Sequence, residues 1–380
     1  MIRDLTDEEA RRALVLKWGT VEPDVLPAWV AEMDYALAPV VRDALFEAVE
    51  VGVTGYPQID GQSGLGEAYA AFAQRHWGWA VDPGLVRPVS DVTAGIRVAL
   101  EVLSEQAPVV QPVPSYPPQL SVIGITGRKR VDLVLEPDQP EATIDLDRLD
   151  DLFAEGARTL VLTQPHNPWG RVFTKSELEG VRDVVVKHGA RVISDEIHAP
   201  LALPGATHVP YLSLEGTADH AVAVVAASKA FNTAGLRCAQ IVAADGETMR
   251  RIRDVPDPLN DSWSPLGEVA AVAAYEHGDE WLAALVRRLA EQRDLLTDLL
   301  AAHLPEVRMR PLEATYLAWL DARAYGHADP AAVALERGRV KLAPGHDYHP
   351  GLDGHVRLNI ATSPERLEEI VTRLASAWTA

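Results

Sequence analysis

Ala226-Ala227-Ser228-Lys229-Ala230-Phe231-Asn232-Thr233-Ala234-Gly235-Leu236-Arg237 is the stretch on which the reading of this chain turns. It closes a run of small and β-branched residues, Ala221 to Ala227, whose continuous apolarity predicts a buried strand ending on one lysine. An ammonium there is hard to solvate. Burial lowers its pKa and leaves a free amine able to attack a carbonyl carbon. Gly235 lets backbone approach a bulky ligand, and Arg237 adds a fixed positive charge. Most single lysines are solvated surface residues. The weight of Lys229 therefore depends on its neighbours along the chain.

The chain has 380 residues, enough for a large core and two lobes. Apolar residues make up 47%, an ordinary globular composition. A net charge of -20 argues against a nucleic-acid surface and against anionic lipid, since both need a basic face. The only cysteine, Cys238, has no intrachain partner, which suits a reducing compartment. No apolar run is long enough to span a bilayer, and the first residues are no secretory signal. A cytoplasmic location is expected.

Upstream of Lys229, short apolar runs alternate with helical patterns. Pro39 to Glu50 and Leu65 to Trp77 read as helices, separated by Gly55-Tyr56-Pro57 and Gly61-Gln62-Ser63-Gly64. Val89 to Ile96 reads as a strand entering a helix, whose first N-H groups make a phosphate seat with Gly95 allowing close approach. Pro108 to Pro112 is a strand, and the stiff turn Pro114 to Pro118 presents Tyr116. Thr159 to Thr163 and Arg191 to Ser194 are further strands, and Thr174-Lys175-Ser176-Glu177 is a capping box opening a helix to about Lys187. Cys238 to Ala243 is another strand, with antiparallel pairing one option. Such alternation predicts an α/β sheet, mostly parallel, with functional residues at the carboxyl ends of its strands. Beyond Pro265 a helix and a longer one, about Glu280 to His303, precede short strands and a last helix with Ser363 as N-cap and Pro364 at its first position. This reads as a smaller lobe. Lys17 to Tyr35, rich in aromatics and prolines, reads as an extended arm that joins it.

Asp195 follows a buried strand, so its carboxylate needs a cationic partner, and a pyridinium nitrogen is one. Asn167 and His198 can donate to a phenolate oxygen, and Tyr116 can stack on a ring face. Ser228, Arg237 and the amides of Ala94, Gly95 and Ile96 can hold a phosphate. Lys229 can condense with an aldehyde. Together these match one molecule, pyridoxal 5′-phosphate (PLP).

The order Asn-Pro-x-Gly, Asp-x-x-His, Ser-Lys-x(7)-Arg and Arg-x-Asn resembles the class I/II aminotransferase family of fold-type I PLP enzymes. More narrowly, the chain is similar to the MalY/PatB branch of cystathionine β-lyase-like C-S lyases. Lys17-Trp18, the segment Leu26 to Tyr35, Pro165 to Phe173, Ser194 to His198, Ser228 to Asn232, Glu313 to Asp321 and Val356 to Asn359 carry that likeness. The resemblance implies a large domain with a mostly parallel seven-stranded sheet flanked by helices, plus a smaller α/β C-terminal domain. It divides the chain into an arm (1–45), a PLP-binding domain (46–275) and a small domain (276–380). It implies Lys229 covalently joined to the cofactor, Asp195 on the pyridine nitrogen, Asn167 and His198 at the 3′-oxygen, Tyr116 stacked, and Arg357 clamping the substrate α-carboxylate. Trp29, Val30 and Ala31 would border the substrate. Tyr56 would serve catalysis and substrate binding, reaching the neighbouring subunit's cofactor phosphate in a homodimer with active sites at its interface.

The implied reaction is cleavage of an S-substituted cysteine to thiol, pyruvate and ammonia. Transamination of a small amino acid is the alternative, and a regulatory protein that retains PLP a more distant one. Trp169, Pro200, the loop Pro344 to His349 and Ala226 depart from the family pattern around the substrate and phosphate. The cluster His346, His349, His355, Asp347 and Asp353 fits no zinc spacing, and no metal is expected.

Overall fold

Alternation along Ala221–Val225 sets the architecture. Ala221, Ala223 and Val225 join one core cluster, while Val222 and Val224 join another on the opposite face. A strand buried on both sides belongs inside a sheet covered by two helical layers. In the computed structural model, which describes residues 2–58, 63–136, 142–256, 259–260 and 262–379, it is the third of seven strands. Gly61 and Gln62 of the punctuated loop lie outside the described residues.

The strands run Val86–Val89, Ala239–Ala243, Ala221–Val225, Arg191–Asp195, Thr159–Thr163, Val109–Val113 and Arg130–Val134 across the sheet. Ala239–Ala243 is antiparallel to both neighbours, and every other pairing is parallel. Helices Val92–Leu103, Pro117–Ile125 and Gly246–Arg253 cover one face through Ile96, Val122, Met249 and Ile252. Leu146–Ala154, Lys175–His188 and Pro265–His277 pack into the other cluster through Leu149, Val181 and Ala270. Each fully buried valine or leucine contributes about 1.5–3 kcal/mol, so the sheet is a rigid platform for what sits at its strand ends. The capping box at Thr174 and Glu177 forms as the sequence predicts.

A second, antiparallel sheet runs Ala343–Pro344, His355–Asn359, Leu317–Asp321 and Arg308–Met309. Helices Asp279–His303 and Pro364–Trp378 accompany it, the latter capped by the Ser363 hydroxyl. The arm packs here. Leu26–Pro27 pairs in parallel with Val340–Lys341, and Asn359 and Asp34 donate their N-H groups to the carbonyls of Ala28 and Ala361. A fully buried ion pair fixes the arm: Lys17 Nζ lies 2.8 Å from Asp34 Oδ1, which also accepts from the Trp18 indole at 2.7 Å. Arg366 approaches the other Asp34 oxygen at 3.4 Å. Breaking one member of such a buried set costs about 3–5 kcal/mol. Lys17-Trp18 and Asp34 therefore act as one clamp, although a turn and an extended segment separate them.

Two differences from the sequence reading concern strand limits. The strand before the lysine ends at Val225, and Lys229 sits four residues on, in a turn held by Phe231 N-H to Ala227 O (2.9 Å) and Thr233 N-H to Ser228 O (3.0 Å). The edge strand Arg130–Val134 has no apolar run, because Arg130 and Asp132 bond to each other on its exposed side.

Candidate active site

The carboxyl ends of Thr159–Thr163, Arg191–Asp195 and Ala221–Val225 lie side by side, so the loops after them converge. They bring Asn167, Asp195, His198, Ser228 and Lys229 to one cavity of about 360 Å³, which Tyr116, Arg237 and Ala31 also line. Residues scattered over two hundred positions of sequence thus share a single concave site.

Lys229 Nζ donates to the Ala31 carbonyl at 3.1 Å. Burial, then the nearby Arg357 guanidinium, lower its pKa to about 8, while Glu32 and Asp195 pull the other way. Asp195 is buried, and loss of hydration raises its carboxyl to about 7 against the stabilising N-H of Ile197 (3.1 Å). The field of Glu196 adds to that rise and Lys229 opposes it. His198 is also buried, which holds its ring near a pKa of about 3 and therefore neutral; its Nδ1 has no hydrogen-bond partner.

The expected donor at Asn167 is available for a specific reason. Its Oδ1 accepts from Arg357 Nη1 at 3.0 Å, which leaves the amide nitrogen to donate. Arg357 is held further by the Trp29 carbonyl (2.9 Å) and lies 5.0 Å over the Tyr348 ring, while its Nε is buried without a partner. Of Trp29, Val30 and Ala31, only Ala31 lines the cavity, and all three act through backbone. Their carbonyls accept from Arg357, from Asn359 (2.7 Å) and from both Lys229 and Tyr316 (3.1 Å), respectively. Asn232 exchanges two 2.9 Å bonds with the backbone of Met33, so the Ser-Lys-x-Phe-Asn segment also grips the arm.

The helix start that meets the cavity lies ahead of the Ala94, Gly95 and Ile96 amides expected to hold a phosphate. Helix Val92–Leu103 begins with Asp91 as N-cap, and the cavity is lined by Ser90, Asp91, Val92 and Thr93. Ala94 N-H is already taken by the Asp91 side chain at 2.8 Å, and Gly95 N-H by the Asp91 carbonyl. Gly95 and Ile96 face the sheet: a Cβ at Gly95 would meet Val224 Cγ1 at 2.6 Å. Gly95 therefore serves helix–sheet packing, and the N-H groups that lead the helix are those of Val92 and Thr93. Arg237 lies beside this helix start, 2.5 Å from Asp91 Oδ2. Tyr56 is 99% exposed and does not line the cavity.

Sequence reasoning missed Gln119, Glu196 and Cys238. Gln119 donates to Asp195 Oδ2 from the first turn of Pro117–Ile125. Glu196, fully buried, accepts from Ser194 Oγ (2.8 Å), Gln164 Nε2 (3.0 Å) and Tyr211 N-H (2.9 Å), with His208 Nε2 at 3.1 Å. Its position inside a continuous Asp-Glu-Ile-His motif was the available signal. Cys238 lines the cavity, and burial pushes its thiol up to about 12, so it is inert. Trp169 is buried with Arg310 stacked 3.9 Å over it and lies outside the cavity wall. His346, His349 and His355 face three different carboxylates, Asp347, Asp132 and Asp321. No group of metal-ligating side chains gathers among the described residues.

The model of class I and II aminotransferases matches residues 26–374. The chain belongs to that family. Within it, cystathionine beta-lyase of Corynebacterium glutamicum is 36% identical over 97% of this chain and 98% of its own length. PatB of Bacillus subtilis, also a cystathionine beta-lyase, is 33% identical over 93% and 92%. A Corynebacterium diphtheriae crystal structure assigned as a PLP-dependent beta-cystathionase superposes over the full length of both chains with a TM-score of 0.94 at 32% identity. These relatives put the chain in the MalY/PatB branch of the aminotransferase family, and its sheet is that of the fold-type I enzymes.

The site's unmet bonding needs suit the family's cofactor. A buried carboxylate lacks a full counter-charge, a neutral histidine nitrogen lacks a partner, and an arginine and a helix start meet at one end of the cavity. A pyridinium, a phenolate oxygen and a phosphate would satisfy them in turn.

Proposed function

We propose that this chain is a PLP-dependent carbon–sulfur β-lyase that cleaves an S-substituted cysteine of the cystathionine type, with water, to a thiol, pyruvate and ammonia. The observation that carries the reading is the buried amine of Lys229 sharing one cavity with the buried carboxylate of Asp195. Full-length similarity to cystathionine beta-lyases supports it.

Lys229 would hold the cofactor aldehyde, Asp195 its ring nitrogen, and Asn167 with His198 its ring oxygen. Ser228, Arg237 and the helix start at Val92 and Thr93 would receive the phosphate. Bound PLP supplies an electron-poor ring that takes up the electron pair freed when the substrate α-proton leaves. Arg357 orients the substrate by its carboxylate through a forked contact, with Asn167 and the Trp29 carbonyl fixing the guanidinium plane. Lys229 Nζ, of low basicity for a lysine, would take the proton from the substrate Cα. The same nitrogen then returns that proton to the departing sulfur. The arm closes the site, because Ala31 O steers Lys229 and Trp29 O steers Arg357.

Tyr56 acts at a second copy's site in this reading. Its full exposure, with Phe46, Val49 and Val51 also exposed nearby, suits a homodimer. A single buried cysteine suits a cytoplasmic setting.

The test is a substrate panel assayed for thiol, keto acid and carbon dioxide. Equal amounts of thiol and pyruvate from cystathionine or an S-alkyl cysteine are expected. Keto-acid exchange with alanine and no thiol would instead identify an aminotransferase.

A further inference from the structure

Asp195 is the group on which the electron sink depends, and its surroundings work against its charge. Burial and the neighbouring Glu196 both favour the protonated acid; the Ile197 N-H and Lys229 oppose them, and the Tyr116 phenol feels the same carboxylate. A further donor reaches the carboxylate's second oxygen. Pro117 starts a helix that carries Gln119 in its first turn, and the Gln119 amide nitrogen donates to Asp195 Oδ2.

That amide ends a buried chain of donors with a single direction. Gln111 Nε2 donates to Ser115 Oγ (3.2 Å), Ser115 Oγ donates to Gln119 Oε1 (2.9 Å), and Thr163 Oγ1 donates to the same oxygen (2.8 Å). All four side chains are buried. Two hydroxyls on the amide oxygen polarise the amide, so its N-H groups become better donors to the carboxylate. Asp195 Oδ1 meanwhile takes the Ile197 N-H, so both oxygens are oriented by donors from separate elements.

We propose that Gln119, driven by Ser115 and Thr163, is the positioning residue that keeps Asp195 an anion, so that a ring nitrogen meets a charged acceptor and not a carboxylic acid. The inference rests on the PLP reading of the site. Leucine at 119 would leave Asp195 Oδ2 without a donor and two buried hydroxyls without an acceptor. Asp195 would then hold its own proton and donate to the ring nitrogen, leaving the ring uncharged and the sink weak.

The experiment follows the Asp195 carboxyl carbon by NMR in apoenzyme carrying ¹³C-aspartate, the signal being assigned by its loss in Asp195→Asn. Gln119→Leu is expected to raise the titration midpoint by about one pH unit, and Ser115→Ala to raise it less. In holoenzyme the ¹⁵N shift of the bound ring nitrogen should move toward its unprotonated value, with kcat reduced and KM little changed. A midpoint in Gln119→Leu that stays at or below that of the parent overturns the proposal. Should that variant not fold, the midpoint of Ser115→Ala decides in its place, a rise supporting the proposal and no rise overturning it. Failure of the PLP reading is distinguishable, since it would appear as no borohydride-stable adduct on Lys229 in the unaltered chain.

Discussion

The inner wall of the cavity and its outer rim at Asp91 and Arg237 are built on opposite principles. On the inner wall, Asp195, His198 and Asn167 line the cavity and Arg357 bonds to Asn167; all four are buried, and Asp195 and Arg357 are each held by two partners within the protein. Folding alone fixes that geometry. On the rim, Asp91 and Arg237 face each other half in solvent, and Tyr116 is 39% exposed. Water competes for those groups, and their arrangement can follow a ligand or a second subunit. Side chains that must hold charge in a dry site are fixed in advance, whereas those that water can reach are left adjustable.

Substitutions should therefore cost most on the inner wall. Lys229→Ala should lower kcat at least about 10³-fold with an unchanged circular dichroism spectrum. Thiol release within tenfold of the parent would remove the inner wall as the seat of chemistry. Arg357→Lys keeps the charge but loses the fork that holds Asn167 and Trp29 O. KM should rise about 10–100-fold, with kcat falling less, in steady-state kinetics.

The pH dependence of cofactor uptake sharpens the contrast. With its pKa lowered to about 8, Lys229 is mostly cationic below pH 8 and mostly neutral above it. The rate at which apoenzyme forms its coloured adduct with PLP should climb about tenfold per pH unit from 6 toward 8, then level. A climb that persists to pH 10 would mean a solvated lysine. The smallest effect belongs to the rim. Asp91→Asn removes the negative charge beside Arg237, and for so exposed a pair PLP affinity should increase only about 2–5-fold in a fluorescence titration. A change beyond about twentyfold would show the rim to be as tightly coupled as the wall.

The same contrast governs what could be read from sequence. The strand before Lys229, the capping box at Thr174 and the buried Asp195 were legible because apolar runs and cap residues act locally. Gln119 was not, since a glutamine on a helix gives no local sign that it reaches a carboxylate 76 positions away. Edge strand Arg130–Val134 hid behind its own charged surface. Gly95 carried an ambiguous signal: its lack of a side chain serves contact with Val224, and only the packing of helix on sheet reveals that. Tyr56 could be placed by likeness alone, because a single chain offers it no partner.

The central claim is that one buried amine carries the cofactor. Borohydride reduction of the yellow holoenzyme, followed by digestion and mass spectrometry, tests it most directly. A single reduced pyridoxyl phosphate adduct on the peptide containing Lys229, absent in Lys229→Ala, is the predicted result. Protein that stays colourless with PLP, or an adduct spread over other lysines, would contradict it.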